Sequence, residues 1–391
     1  MLSYAATGAQ YGIGFFLPFI VVTFVAAVFA QSIALRIAIV TRRGFGELIR
    51  QRFGAFWGWT ACGDLIVINL VTLVTEVIGI RIGLTFFGIP AWVAVVCTVA
   101  LVTITSFSST FTRWERIALG LAVVNLVFIP AALLSHPDPT ALARAFTLWQ
   151  PLPGGGTTIV LLLLASNAGA TLTPWMLFFE SSATTDRNQT RLRRSPSRIT
   201  ADSLVGGVLA CAAACAVVIA AAPLYLHQVT VTGQGGAAYA QALAPLIGTP
   251  AAGLFAIGLI EAGALAMLTI SASTSYVIGE QIAGNNRGFS APVRGSLLFR
   301  VSMIVFAFIA AMVTLIPGAP LLSIVLNANV VSVALIPPAL VFLFLLSSDH
   351  EVMGRWASGG VVNLIGAVLT GLIFISVVAY VGVALYESFY P

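Results

Sequence analysis

The sequence has little charge. Only 8% of its 391 residues are charged, 59% are hydrophobic, and the mean hydropathy is +1.03. Soluble domains carry about 25% charged residues. The composition therefore excludes a water-soluble protein and predicts an all-α polytopic membrane protein in contact with the lipid bilayer.

Lysine is absent, because all 18 basic residues are arginine. The arginines lie mainly in short loops between apolar segments, where they set the orientation of a membrane protein. The net charge of +5 is therefore no sign of nucleic-acid binding. Nothing in the composition predicts an obligate protein partner.

Cysteine and histidine are scarce. The four cysteines all lie inside apolar stretches and are Cys62, Cys97, Cys211 and Cys215. They indicate no disulfide framework, and the closest pair has no histidine or carboxylate at metal-ligand spacing. The three histidines all lie in predicted loops and are His136, His227 and His350. An enzyme with a metal or acid-base centre inside the membrane is thus not expected.

The apolar stretches predict about ten membrane-spanning helices. They cover residues 13–38, 57–80, 90–110, 116–135, 157–184, 203–226, 249–279, 296–317, 320–346 and 360–385. Alternate loops hold most of the arginines, and the other loops hold only Arg81 and Arg144. Because basic loops face the cytoplasm, the chain is predicted to begin outside, in a multi-pass protein of the bacterial inner or plasma membrane.

The stretch from Thr157 to Asp186 is long enough to cross a bilayer, but its middle is small and polar. Gly169 and Pro174 interrupt this middle, and they cost a helix about 1 and 3 kcal/mol relative to alanine. We expect two half-helices joined by an unwound segment between Ser166 and Pro174, whose freed carbonyls can face an ion. An ordinary proline kink is the alternative.

A broken helix near the midplane is typical of inverted-repeat transporters, in which two five-helix halves each begin with such a helix. Residues 157–347 fit one repeat, 1–135 fit a repeat lacking most of its leading helix, and 360–385 form an extra C-terminal helix. The whole chain is read as one transmembrane transporter domain. The first ten residues contain no charged n-region and no cleavable signal pattern, although the chain is predicted to begin outside. Because the broken helix also has no partner in the first repeat, we expect an in-frame upstream extension that encodes another span.

Several short motifs resemble the Nramp family of divalent-metal transporters, in the order in which that family has them. They are Gly8-Ala-Gln-Tyr-Gly12, Gln31, Thr75-Glu-Val-Ile-Gly79, Phe87-Gly-Ile-Pro-Ala-Trp92, Gly169-Ala-Thr-Leu-Thr-Pro-Trp175, Leu254-Phe-Ala-Ile-Gly258, Asn329-Val-Val-Ser-Val-Ala-Leu-Ile-Pro337 and Val352-Met-Gly354. The resemblance implies a LeuT-like fold of eleven helices, of which about ten are present here. It also implies transport of divalent cations into the cytoplasm, with no cofactor other than the transported ion.

The chain departs from the family pattern at important positions. The family's first helix carries an Asp-Pro-Gly-Asn metal-binding motif, and this chain starts just after its place. Thr173 stands where most members have methionine, and Trp175 replaces a histidine. Leu73 occupies the position of an aspartate linked to the proton route, whereas Glu76 keeps the family's glutamate.

The resemblance implies a metal site formed by the Ala170 carbonyl and the Thr173 hydroxyl, with Asn329 opposite and Asn327 as a weaker neighbour. Gly169, Pro174 and Trp175 would shape the pathway. A hydroxyl is a hard ligand where a thioether is soft, so Mn²⁺ or Mg²⁺ is the expected ion. The alternative for Asn329 is a helix-helix hydrogen bond.

Ionisable residues inside spans are candidate functional groups because they are costly in a bilayer. They are Asp64, Glu76, Glu180, Glu261 and Glu280. Glu76 is the strongest candidate, and Arg300 could neutralise it across the bundle. Glu261 is read as either a pathway residue or a packing partner, and Glu180 and Glu280 as solvated carboxylates near the cytoplasmic ends.

The expected function is a secondary transporter of divalent cations that works by alternating access and is weakly or not proton-coupled. Two alternatives stay open: a LeuT-like carrier for an amino acid or another organic solute, and a truncated, inactive transporter fragment.

Overall fold

A computed structural model describes residues 1–108, 110–151, 157–189, 196–229, 238–282, 288–289, 293–316 and 318–389. Its α-helices are α1 (Leu2–Tyr11), α2 (Phe16–Thr41), α3 (Phe45–Phe53), α4 (Ala55–Phe86), α5 (Ala91–Ser108), α6 (Phe111–Val124), α7 (Phe128–Leu134), α8 (Pro139–Leu148), α9 (Thr157–Thr171), α10 (Pro174–Gln189), α11 (Pro196–Leu226), α12 (Ala238–Ile247), α13 (Thr249–Ile282), α14 (Val293–Val313), α15 (Leu321–Ser348), α16 (His350–Met353) and α17 (Gly360–Phe389). The described residues contain no β-strand.

The ten predicted spans are all present as helices. In the described part of the chain, nine helices or helix pairs are long and apolar enough to cross a membrane, and the shorter apolar helix 91–107 corresponds to the predicted span 90–110. Many large apolar side chains point outward, such as Val361, at 72% exposed, and Ile375, at 63%. Such a surface is suited to lipid, which confirms a multi-pass protein of the cell membrane.

The core is built from helices that pack against one another throughout the bundle. Helix α4 lies along α13, and α14 packs on α13, α5 and α4. Helix α2 packs on α10 and α11, α1 packs on α11, and α9 packs on α15. Small residues permit the close α4–α13 approach: a Cβ atom at Gly263 would lie 2.7 Å from the Glu76 carbonyl oxygen.

The break in the segment 157–186 is confirmed, but it is narrower than expected. Only Leu172 and Thr173 are non-helical, between α9 and α10. The Leu172 N–H still donates to the Ala168 carbonyl at 2.7 Å, so helical hydrogen bonding persists to the end of α9. Pro174 then opens α10, a position that suits proline because the first helical N–H has no partner within the helix.

A second interruption was not predicted from the sequence. Residues Asn125–Val127 form a short 3₁₀ turn between α6 and α7. Pro130 is the physical reason, because it has no N–H for the Leu126 carbonyl and its ring crowds the preceding turn.

Candidate functional site

A cavity of about 80 Å³ lies between the broken helix and the α4–α13 pair. Its lining residues come from six helices, the residue before α1 and the break between α9 and α10, and are Met1, Leu2, Thr72, Thr75, Glu76, Gly79, Ala170, Thr173, Trp175, Leu259, Ala262, Gly263, Ala266, Ile270, Val325 and Asn329. A water molecule needs about 10–15 Å³ on this measure. The cavity therefore has room for a metal ion with a few waters.

The Ala170 carbonyl owes its availability to the local sequence. The residue four positions later is Pro174, which has no N–H, so this carbonyl cannot accept the ordinary helical hydrogen bond. It also lies in the last turn of α9, where the negative end of the helix dipole favours a cation. The chain thus presents a carbonyl at the cavity with its hydrogen-bonding capacity unused.

Thr173 and Asn329 supply further oxygen atoms at the cavity. Thr173 lies in the break between the two half-helices and is 4% exposed. Asn329 projects from α15, and its Nδ2 atom donates to Ser166 Oγ over a long 3.4 Å. This leaves the amide oxygen of Asn329 as the atom available to an ion.

Helix α4 presents one face to the cavity. Thr72, Thr75, Glu76 and Gly79 follow the spacing i, i+3, i+4 and i+7, which places them along one stripe of a helix. The threonine hydroxyls donate to the carbonyls of Ile68, at 2.8 Å, and Thr72, at 2.7 Å. The sequence reading had not assigned Thr72 and Thr75 to the site, although their spacing from Glu76 could have revealed them.

Trp175 closes the cavity toward the predicted cytoplasmic side. Its carbonyl accepts a hydrogen bond from Ser273 Oγ at 3.0 Å. Its ring contacts Phe179, which in turn contacts Trp114 and Tyr276. A cluster of aromatic rings thus packs beside the cavity along α10.

Two hydrogen-bonded carboxylates hold the same end closed. Glu280, at the end of α13, accepts from the Glu47 N–H at 3.0 Å and from Ser182 Oγ of α10. Asp186, also on α10, accepts from the Tyr276 hydroxyl of α13 at 2.7 Å. The expectation of a solvated Glu280 is wrong, since the residue is 1% exposed and its charge is satisfied by protein donors.

Asn327 does not join the cavity. It is exposed, and its Nδ2 atom donates to the Ser323 carbonyl at 2.8 Å. Two residues along an α-helix turn the side chain by roughly 200°. Because Asn329 faces the cavity, Asn327 points to the opposite side of α15.

Arg300 does not neutralise Glu76. Its Nη1 atom donates to the Phe107 carbonyl at 2.9 Å, and its Nε atom donates to Ser296 Oγ at 2.8 Å. The guanidinium also lies 5.9 Å from the Phe107 ring centroid. Arg300 therefore ties the start of α14 to the end of α5, and the predicted pairing is wrong.

Glu261 lies in α13 beside the cavity-lining Ala262 but does not line the cavity itself. It is 5% exposed, and neither carboxyl oxygen has a hydrogen-bond partner. Among the described residues, no group of three or more histidine, cysteine, aspartate or glutamate side chains could hold a metal ion. A cation at the cavity would thus rely mainly on neutral oxygen atoms, with Glu76 as the charged one.

A charge cluster lies outside the spans. Arg52 of α3 pairs with Asp349 and with Glu351, the latter at 2.7 Å. Burial opposes ionisation of Asp349, but the Glu351 backbone N–H and the Arg52 guanidinium outweigh it and lower the pKa of this carboxyl. The cluster joins α3 to the start of α16.

The family model described as "Natural resistance-associated macrophage protein-like" (Nramp) matches residues 1–383. The chain belongs to the Nramp family. It is accordingly a membrane protein of a transporter family and not an enzyme.

Relatives of this Nramp chain carry names consistent with that assignment. Two are named "Divalent metal cation transporter MntH". The one from Deinococcus radiodurans is 25% identical over 375 residues, covering 94% of this chain and 82% of the relative. The one from Verminephrobacter eiseniae is 28% identical over 407 residues, covering 98% and 84%.

A solved structure shares the fold. The crystal structure of the Eremococcus coleocola manganese transporter, in complex with an aromatic bis-isothiourea substituted compound, matches with a TM-score of 0.72 at 21% identity. The match covers 97% of this chain and 82% of that chain. The predicted LeuT-like fold is thereby confirmed.

Proposed function

We propose that this Nramp chain carries divalent metal cations across the membrane into the cytoplasm by alternating access. The observation that carries the proposal is the gathering of the Ala170 carbonyl, Thr173, Asn329 and Glu76 around one small cavity. Oxygen atoms of this kind are the ligands of hard divalent cations. The names of the relatives support the same class of substrate.

The donor set favours Mn²⁺ or Mg²⁺. The candidate ligands Ala170, Thr173, Asn329 and Glu76 all offer oxygen atoms, and none of them is a thioether, although Met1 also lines the cavity. Mg²⁺ retains its water shell readily, and the cavity has space for some of those waters. A softer ion such as Cd²⁺ gains less here than at a site with a sulfur ligand.

The cavity also argues against an organic solute. Sites for small organic molecules have volumes of about 300–1,000 Å³, whereas this cavity measures about 80 Å³.

We further propose the repeat organisation predicted from the sequence, with residues 1–135 and 157–347 as the two repeats and 360–385 as an additional helix.

Uptake by the full chain in proteoliposomes tests the function. We expect saturable entry of Mn²⁺ that Mg²⁺ inhibits and that Asn329→Ala and Glu76→Gln both weaken. Asn327→Ala is the matched control, because this amide points away from the cavity and its loss should leave uptake unchanged. Uptake of an amino acid but not of Mn²⁺ would replace the metal by an organic substrate.

A further inference from the structure

Thr171, the last residue of α9, makes a set of hydrogen bonds outside the cavity. Its Oγ1 atom donates to the Asn167 carbonyl at 2.8 Å and lies 2.7 Å from the Tyr4 hydroxyl of α1. A threonine hydroxyl has one hydrogen to give. Tyr4 is therefore the donor to Thr171.

The contact is shielded from water. Tyr4 is 3% exposed and Thr171 is 6% exposed. One turn earlier in α9, Asn167 Nδ2 donates to Thr7 Oγ1 of α1 at 2.7 Å, and both residues are fully buried. Helix α1 thus holds the last two turns of α9 through two buried hydrogen bonds that solvent cannot replace.

These hydrogen bonds from α1 can fix the position of the end of α9. Pro174 leaves the Ala170 carbonyl without a helical partner, and the chain is non-helical at Leu172 and Thr173. The Ala170 carbonyl lies in one planar peptide unit with the Thr171 N–H, so the position of Thr171 sets the direction of that carbonyl. Its neighbour Thr171 is the residue through which another helix can fix it.

We propose that Tyr4 is a positioning residue that aims the Ala170 carbonyl at the transported cation by holding Thr171. The inference rests on the proposed function, since it takes this carbonyl as a cation ligand. Tyr4 itself does not line the cavity. Its effect is on the pre-organisation of the site and hence on cation affinity.

Calorimetry with Mn²⁺ on the purified full chain tests the proposal. We expect Tyr4→Phe to raise the Kd by about threefold to tenfold, the range that corresponds to one hydrogen bond. Thr171→Val removes the same hydrogen bond and also the contacts of this hydroxyl with the Asn167 carbonyl and Thr23 Oγ1, so its Kd should rise at least as much. The double variant should bind no more weakly than Thr171→Val alone, because the Tyr4 contact is already absent there. Thr171→Ser keeps the hydroxyl and should retain the wild-type Kd.

Tyr239→Phe is the matched control, because Tyr239 is equally buried, at 3% exposed, on α12 and outside the cavity lining. We expect Tyr239→Phe to bind Mn²⁺ with the wild-type Kd. If the loss of any buried tyrosine hydroxyl weakened binding through lower stability, the Kd of this variant would rise as well. An unchanged Kd in Tyr4→Phe, or multiplying effects in the double variant, would overturn the positioning role alone. A wild-type chain that binds no Mn²⁺ would overturn the proposed function and the inference with it.

Discussion

At the scale of single residues, two groups lack hydrogen-bond partners among the described residues: the Ala170 carbonyl at the cavity and the Glu261 carboxyl beside it. The Ala170 carbonyl is free because Pro174 has no N–H, a covalent property that the sequence alone reveals. Glu261 is different, because its isolation depends on which helices surround it. The Ala170 carbonyl favours a bound cation, whereas the unpaired Glu261 carboxyl lowers the stability of the fold.

Thr173 is expected to set the preference between hard and soft ions. Thr173→Met adds a sulfur ligand and should strengthen Cd²⁺ binding relative to Mg²⁺ by about tenfold or more, since about 1.4 kcal/mol is enough for that factor. Calorimetry with both ions measures the ratio. Thr85→Met, on α4 outside the cavity lining, is the control. An unchanged ratio in Thr173→Met would remove this residue from the set of ligands.

Glu261 is expected to limit stability. Both of its oxygens are buried without a partner, which costs about 1–3 kcal/mol for a polar group and more for a charged one. Glu261→Leu should therefore raise the thermal unfolding temperature in detergent and leave Mn²⁺ uptake intact. Glu351→Leu, at an exposed carboxylate, should give no such gain. A lower unfolding temperature in Glu261→Leu would show that the carboxyl is satisfied by a bound group.

At the scale of helices, the molecule is closed at one end by contacts between α10 and α13. Trp175 and Phe179 lie on the predicted cytoplasmic side of the cavity. Glu280 and Asp186 link α10 and α13 through buried hydrogen bonds. In an alternating-access cycle these contacts would break when the cation leaves. They are few and discrete, so each can be removed separately.

Glu280→Gln should loosen that closure. The two donors reach different oxygens of the carboxylate, the Glu47 N–H at Oε2 and Ser182 Oγ at Oε1. An amide has an NH₂ group at one of these positions and carries no charge, so it loses at least one charge-assisted hydrogen bond. Hydrogen bonds to charged groups contribute about 1.5–3 kcal/mol, and we expect a clearly lower unfolding temperature. Thermal unfolding of the purified chain measures it, with exposed Glu351→Gln as the control. Equal unfolding temperatures for Glu280→Gln and the wild type would argue against a closing role.

At the scale of the whole molecule, metal movement is expected to be only weakly coupled to protons. Coupling needs a titrating group near the ion. The family resemblance implies that Trp175 and Leu73 stand in place of a histidine and an aspartate, and neither of these two side chains titrates. Glu76 is the remaining carboxylate at the cavity, and Arg300 is engaged elsewhere. Any coupling would therefore depend on Glu76.

Proteoliposomes loaded with a pH-sensitive dye measure this coupling directly. We expect Mn²⁺ uptake with little internal acidification, and the same result over a range of external pH. Glu76→Gln should then reduce uptake through the lost charge without changing the proton signal. Stoichiometric acidification that Glu76→Gln abolishes would show that this carboxylate carries a proton with each metal ion.

The sequence by itself determined the membrane class, the ten spans and the break at Pro174, because these follow from hydrophobic length and from the missing proline N–H. It also placed Ala170, Thr173, Asn329 and Glu76 together through the family resemblance. Only the tertiary structure decided what depends on helix rotation and neighbours: Asn327 turned outward, Arg300 bonded to Phe107, Glu280 buried and Tyr4 held against Thr171. The physical reason is that length and composition act along the chain, whereas a side chain's partner is set by the face that packing buries.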